Sequence, residues 1–243
     1  VTWTLDGGAR KRPPEGGRLT GDAIPGEVMC LLYGRPMASQ APSRVIAYID
    51  GFNLYYGLKS KGWRRYLWLD LEQLIASLLR PYQELSGVKY CTARISAPPA
   101  SVQRQTTYIE ALAATGVRII EGKFQPRDGR CLRCGHTWAT FEEKQTDVNL
   151  AVEMMRDAHL DLFDTAMLVS GDSDLAPAVA AVQQLYPGKA VVVASPPGRR
   201  SDVLNSVASA AFSIGRAKIA NAQFAQVVMS TTGHQLRRPL KWT

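Results

Sequence analysis

Four aspartates placed where apolar runs give way to helical patterns are the residues of this chain best suited to chemistry. Asp50 closes the run Val45 to Ile49 and is followed by Gly51, Phe52 and Asn53. Asp172 and Asp174 follow the run Ala166 to Val169 through Ser170 and Gly171, and Asp147 stands just before a helical stretch. Carboxylates gathered from separate segments repel one another, and some must protonate unless a cation neutralises them. Hard oxygen donors suit Mg2+ or Mn2+, which keep several waters and take other ligands from a phosphate. Such a site can activate water and stabilise the leaving oxygen of an in-line displacement at phosphorus, so phosphodiester hydrolysis is the chemistry implied. Each segment also has a plainer reading. Asp50-Gly51 can be a turn, Ser170 to Asp174 can cap the helix that starts near Leu175, and Asp147 alone reads as a helix N-cap. The amide of Asn53 could bond a metal-bound water or a phosphate oxygen.

These acids meet only if the elements that carry them end at one edge. Short apolar runs at Val45 to Asp50, Val88 to Ile95, Val117 to Gly122, Ala166 to Ser170 and Ala190 to Ala194 read as strands. Helical stretches lie between them at Leu71 to Leu79, Val102 to Ala114, Val148 to Ala158 and Leu175 to Leu185. That alternation predicts an α/β domain with a mostly parallel central sheet, and the unbroken apolar runs predict helices on both faces. In such sheets ligands bind in the crevice outside the carboxyl ends of the strands, where Asp50 and the Asp172/Asp174 pair fall. In the third helix, Val148, Ala151, Val152 and Met155 predict the buried stripe, with Asn149, Glu153 and Arg156 away from it.

The three segments Tyr48-Ile-Asp-Gly-Phe-Asn53, Lys144-Gln-Thr-Asp147-Val-Asn and Leu168-Val-Ser-Gly-Asp172-Ser-Asp174 resemble the signature segments of NYN domains. These domains form the LabA-like branch of the PIN-like nuclease superfamily. The resemblance runs from about Val45 to Ala210 and implies a Rossmann-like three-layer α/β/α sandwich with a Mg2+- or Mn2+-dependent ribonuclease site. It places Asp50, Asp147, Asp172 and Asp174 at the acidic metal positions, with Asn53 and Ser170 as polar neighbours. RNA is then the expected partner. The same fold without turnover, holding RNA or a protein as a regulatory module, is the alternative expectation. A phosphohydrolase of the haloacid dehalogenase kind is disfavoured, because the second Asp it needs two places after Asp50 is here Phe52.

A Cys loop over about 125–140 is expected to interrupt the domain. Cys131-Leu-Arg-Cys134-Gly-His136 has zinc-knuckle spacing, and a structural zinc needs a fourth ligand from Glu142, Glu143 or a second chain, the latter implying a homodimer. A metal-free loop is the competing reading. Arg127, Arg130, Arg133 and Trp138 would suit single-stranded RNA, and Trp138 could equally anchor the loop. Arg64, Arg65, Arg199 and Arg200 are candidate phosphate contacts beside the strand ends.

Composition bounds these readings. Of 243 residues, 46% are hydrophobic and 21% charged, the profile of a globular chain, and no apolar run reaches membrane-spanning length. Four cysteines are too few for a disulfide scaffold, which favours a cytoplasmic setting. The net charge of +8 invites a nucleic-acid partner, but residues 216–243 hold five basic and no acidic residues, so most of it lies at one end. The expected organisation is an unstructured extension over 1–44, with Met37 a candidate start, a domain over 45–215 and a basic tail over 216–243, mobile from Gly233 onward. No P-loop or dinucleotide fingerprint is present.

Overall fold

The computed structural model describes residues 41–130 and 133–242. Cys30, Met37 and most of the expected extension lie outside the described residues, whereas Ser43 and Arg44 already belong to the first strand. The elements in chain order are β1 (Ser43–Asp50), α1 (Gly51–Ser60), α2 (Leu71–Leu78), β2 (Gln83–Thr92), α3 (Pro99–Ala114) and β3 (Arg118–Glu121). Next come β4 (Lys123–Arg130), β5 (Thr137–Lys144), α4 (Thr146–His159), β6 (Thr165–Val169), α5 (Ala176–Leu185) and β7 (Ala190–Ser195). The chain closes with α6 (Asp202–Val207), β8 (Ala210–Ser213), α7 (Arg216–Asn221), β9 (Val227–Met229) and β10 (Gln235–Arg237).

Six strands form one sheet in the order β3-β2-β1-β6-β7-β8, and every neighbouring pair is parallel. Strand order reverses between β1 and β6, which is the switch point where such sheets open a crevice. Period-two alternation splits β1 between two cores. Val45, Ala47 and Ile49 pack with Leu54, Leu58, Leu74 and Leu112 of α1, α2 and α3. Ile46 and Tyr48 pack with Leu150, Met154, Val179 and Leu204 of α4, α5 and α6. The protein is therefore an α/β/α sandwich with helices on both faces, as expected. Among the described residues no helix is long and apolar enough to cross a membrane.

Four local expectations are corrected. Helix α1 was not anticipated, because Gly51 heads it and its apolar positions are sparse. The segment around 125–140 is not an irregular loop: β4 and β5 pair antiparallel from Lys123↔Lys144 to Arg130↔Thr137. On α4 the buried positions are Leu150, Met154, Asp157 and Ala158, while Val148 and Val152 are 64% and 58% exposed. The helix is turned because Lys89 of β2 draws Glu153 and Asp157 inward, at 2.7 Å to Glu153 Oε2, and the Tyr48 hydroxyl donates to Asp157 Oδ2 at 2.7 Å. Ion pairing here outweighs a valine stripe that has the right spacing.

The fourth correction concerns the C-terminal end. Residues 216–242 do not hang free: Ile219, Ala222, Phe224, Leu236 and Trp242 are buried in the core shared with α1, α2 and α3. Trp68 lies at the centre of this packing, 5.5 Å from the Phe224 ring and 6.4 Å from the Trp242 ring, and its indole N–H donates to the Ala225 carbonyl.

Candidate functional site

Asp50 sits at the end of β1 on the same side of the strand as Ile46 and Tyr48, facing the α4 layer. It is 4% exposed and both carboxylate oxygens are engaged. Oδ1 accepts the Asn53 backbone N–H at 2.8 Å, which makes Asp50 the N-cap of α1. Oδ2 accepts the Ser170 hydroxyl at 2.9 Å. Ser170, fully buried just past β6, also accepts the Asp172 backbone N–H at 3.0 Å. The Asn53 side-chain oxygen accepts the Gly171 N–H at 3.2 Å. Two strand ends are thus joined by a short chain of hydrogen bonds running through Asp50, Ser170, Asn53 and Gly171.

The turn after β6 carries the next two acids. Asp172 accepts the Asp174 N–H at 3.0 Å and caps the 3-10 turn Ser173–Leu175 that leads into α5. Asp172 therefore meets the capping reading, at the end of β6. Asp147 is not the N-cap of α4; Gln145 holds that position with a left-handed φ of 77°, and Asp147 lies in the first turn. The dipole of a helix start favours a carboxylate there.

The four acids feel one another. Burial, helped by the charges of Asp147 and Asp172, raises the Asp50 carboxyl to about 6 against the opposing bonds to Asn53 and Ser170. The Asp147 carboxyl is also raised, first by burial and then by the charges of Asp172 and Asp174. A like-charged, partly desolvated group of carboxylates of this kind suits a hard divalent cation in its donor chemistry. Among the described residues, no three His, Cys, Asp or Glu side chains stand together at ligand spacing.

The arginines divide. Arg199 belongs to the loop after β7, and Gly171 is glycine because a Cβ there would overlap the Arg199 carbonyl. Its guanidinium lies 5.9 Å from the Tyr56 ring. Arg200 pairs locally with Asp202 at 3.0 Å. Arg64 lines a pocket on the α1 side, whereas Arg65 lies over the Tyr66 ring at 4.9 Å. Arg199 stands against Gly171 just past the end of β6 and Arg64 lines the pocket, whereas Arg65 and Arg200 are held by their own neighbours.

Cys134 and His136 are exposed near the turn joining β4 and β5. Cys131, and the side chains of Arg127, Arg130, Trp138, Glu142 and Glu143, lie outside the described residues. Cys91 is buried in β2, and burial raises its thiol to about 12, an inert state.

Sequence reasoning missed the pocket beside the acids, whose volume is about 410 Å3. Gly51 and Phe52, directly after Asp50, form part of its wall, together with Tyr90, Arg104 and Tyr108. Gly51 is obligatory at this junction, since a Cβ would stand 2.6 Å from the Tyr90 ring. The only sequence signal was the aromatic run Phe52-Asn-Leu-Tyr-Tyr56, which reads equally as core.

Against known proteins, the chain resembles 6-hydroxy-3-succinoylpyridine 3-monooxygenase HspA of Pseudomonas putida (strain DSM 28022 / S16). Identity is 32%, over 57% of this chain and 55% of that protein, so the chain spans about half the length of this relative. A crystal structure of a protein of unknown function from Vibrio parahaemolyticus RIMD 2210633 aligns over 74% of this chain and 98% of its own, with 24% identity and a TM-score of 0.48. The family model of the NYN domain matches residues 44–215, the span that contains the whole parallel sheet and all four acids. The chain belongs to the NYN domain family.

Proposed function

We propose that the protein is a metal-dependent endoribonuclease that hydrolyses RNA phosphodiester bonds at the acidic rim between β1 and β6. The observation that carries this reading is that β1 and β6 end side by side at the switch point of the sheet, with Asp50 bonded to Ser170 at 2.9 Å and Asp172 two residues further on, and with the charges of Asp147 and Asp172 adding to the rise of the Asp50 carboxyl. Membership of a nuclease-like family supports it.

Asp50, Asp172 and Asp174 would hold Mg2+ or Mn2+, with Asp147 as a further ligand or as the group that positions water. An ion held there would supply charge neutralisation and would acidify water. The chain's own residues do the rest. Ser170 and the Asn53 N–H fix the orientation of Asp50, and Asn53 fixes Gly171, so the carboxylates keep their places when substrate arrives. Asp147, whose carboxyl is raised first by burial and then by the charges of Asp172 and Asp174, is the proton acceptor of this reading. Arg199, above Gly171, is placed to meet a substrate phosphate.

A second reading is a regulatory module that holds RNA without cleaving it. It is favoured by the absence of three acids at ligand spacing among the described residues. Incubating purified protein with single-stranded RNA and Mn2+ separates the two. Metal-dependent loss of substrate, abolished in Asp172→Asn, supports the enzyme, whereas a stable complex with intact RNA supports the module. The relative HspA is named for action on a substituted pyridine, so small aromatic acids belong beside RNA among the compounds tested.

A further inference from the structure

The pocket beside Asp50 has a composition that the acidic rim does not explain. We infer that it is a binding site for a planar aromatic anion. It lies on the α1 and α3 side of β1, and its volume of about 410 Å3 is within the range of small-ligand sites, about 300–1,000 Å3. The inference stands on the pocket's own residues and does not depend on the ribonuclease reading.

Charge comes first. Lys59, Arg64, Arg104 and Lys241 line the pocket, and no Asp, Glu or His does. Among the described residues none of these four cations forms an ion pair. Arg104 is half-buried and held in place by a 2.8 Å bond from its guanidinium to the Ser101 hydroxyl. Cations that converge on a partly apolar cavity without carboxylate partners raise the local concentration of anions and bind them more strongly than an open surface would.

Shape comes second. Tyr108 and Trp242 form adjoining walls with ring centroids 5.9 Å apart, close to perpendicular. The Tyr108 hydroxyl is already spent on the Leu69 carbonyl, so its ring is what it contributes to the wall. Flat aromatic walls favour a flat ligand, by stacking or edge contact. Arginine and lysine on the rim then fix the anionic group.

Position comes third. Lys241 and Trp242 close the pocket from the C-terminal 3-10 turn Leu240–Trp242, which lies beyond the 44–215 span matched by the family model. Two of the residues that line the site therefore lie outside the matched span. Gly51 belongs to the wall and directly follows Asp50, whose side chain faces the α4 layer on the other side of β1.

Two sources supply this chemistry: a nucleotide of an RNA strand, or a free aromatic carboxylic acid. Isothermal titration calorimetry of the full chain at low salt with chelator present separates them, using uridine 5′-monophosphate, adenosine 5′-monophosphate and pyridine-3-carboxylate. Uridine, adenosine and pyridine-3-carboxamide serve as the uncharged counterparts. At least one anion binds, and its uncharged counterpart binds about tenfold more weakly or less. Arg104→Gln and Lys241→Gln each weaken the anion about tenfold while melting temperature is unchanged. Binding by the nucleotides assigns the pocket to RNA, and binding by the carboxylate alone assigns it to a small acid. Absence of binding by all three anions, equal affinity for the uncharged forms, or full affinity in both Arg104→Gln and Lys241→Gln overturns the inference. RNA cleavage is not read in this experiment, so failure of the ribonuclease reading leaves its outcome intact.

Discussion

The Ser170 hydroxyl donates to Asp50 Oδ2 at 2.9 Å, across 120 residues of sequence, and ties the end of β1 to the end of β6 where strand order reverses. Removing it strips a donor from a buried carboxylate and an acceptor from the Asp172 N–H. Ser170→Ala is expected to destabilise the protein by about 1–3 kcal/mol in urea denaturation at pH 7. The Asp50 carboxyl is expected to titrate above its present value of about 6, because an interaction that lowered it is gone. Unchanged stability together with an unshifted titration would show that the contact does no structural work.

Asp50 also gives the metal-free protein a definite pH dependence. Its folded carboxyl titrates near 6 against an ordinary 3.8, so between these values the native state holds a proton that the unfolded state has lost. The group therefore costs stability above pH 6, and the cost disappears as pH falls towards 3.8. Asp50→Asn keeps an oxygen to accept the Asn53 N–H but carries no charge. With chelator present, it is expected to exceed the wild type by about 1–3 kcal/mol at pH 7.5, with the gap closing by pH 4. A gap that stays constant across this range would contradict the assignment.

The network beneath α4 carries the opposite sign. Burial pushes the Asp157 carboxyl up, but Lys89, Tyr48 and Arg156 outweigh it and hold the group below the ordinary carboxylate value. Its contribution is present above the unfolded pKa and is lost as pH falls through the folded one. Asp157→Asn leaves Lys89 with only Glu153 in a buried setting and is expected to cost about 3–5 kcal/mol at pH 7. The difference from wild type should narrow below pH 4 in chemical denaturation. The variant also loosens the helix that presents Asp147.

Gly171 tests the loop above the rim. A Cβ at this position overlaps the Arg199 backbone, so Gly171→Ala must push the loop of residues 196–200 away. A stability loss of about 1–3 kcal/mol is expected by thermal denaturation, together with weaker RNA binding by filter retention. Wild-type values in both measurements would separate Arg199 from the site.

The parts of this molecule that were legible in sequence share a physical cause. Buried parallel strands need unbroken apolar runs, so β1 and β6 stood out, and an Asp adjoining a glycine, Asp50-Gly51 and Gly171-Asp172, marked where each run ends. Local pattern failed where long-range contacts decide. The face of α4 follows Lys89, some sixty positions earlier in the chain, and not its own valines. The hairpin of β4 and β5 contains Pro126 and Gly129, which read as breakers. Residues 216–242 look basic and sparse, yet Phe224, Leu236 and Trp242 find their partners around Trp68. The pocket draws its walls from α1, β2, α3 and the C-terminal turn, so no contiguous motif announces it.

The central claim is that the acidic rim cleaves RNA. Its most direct test is the rate of single-stranded RNA cleavage by wild type, Asp50→Asn and Asp172→Asn, with Mn2+ and with chelator. The account predicts cleavage by the wild type in Mn2+ alone, and a loss of about a hundredfold or more in either variant whose folding is intact. Equal cleavage by all three proteins, or none by the folded wild type on any RNA with Mn2+ or Mg2+, would contradict it.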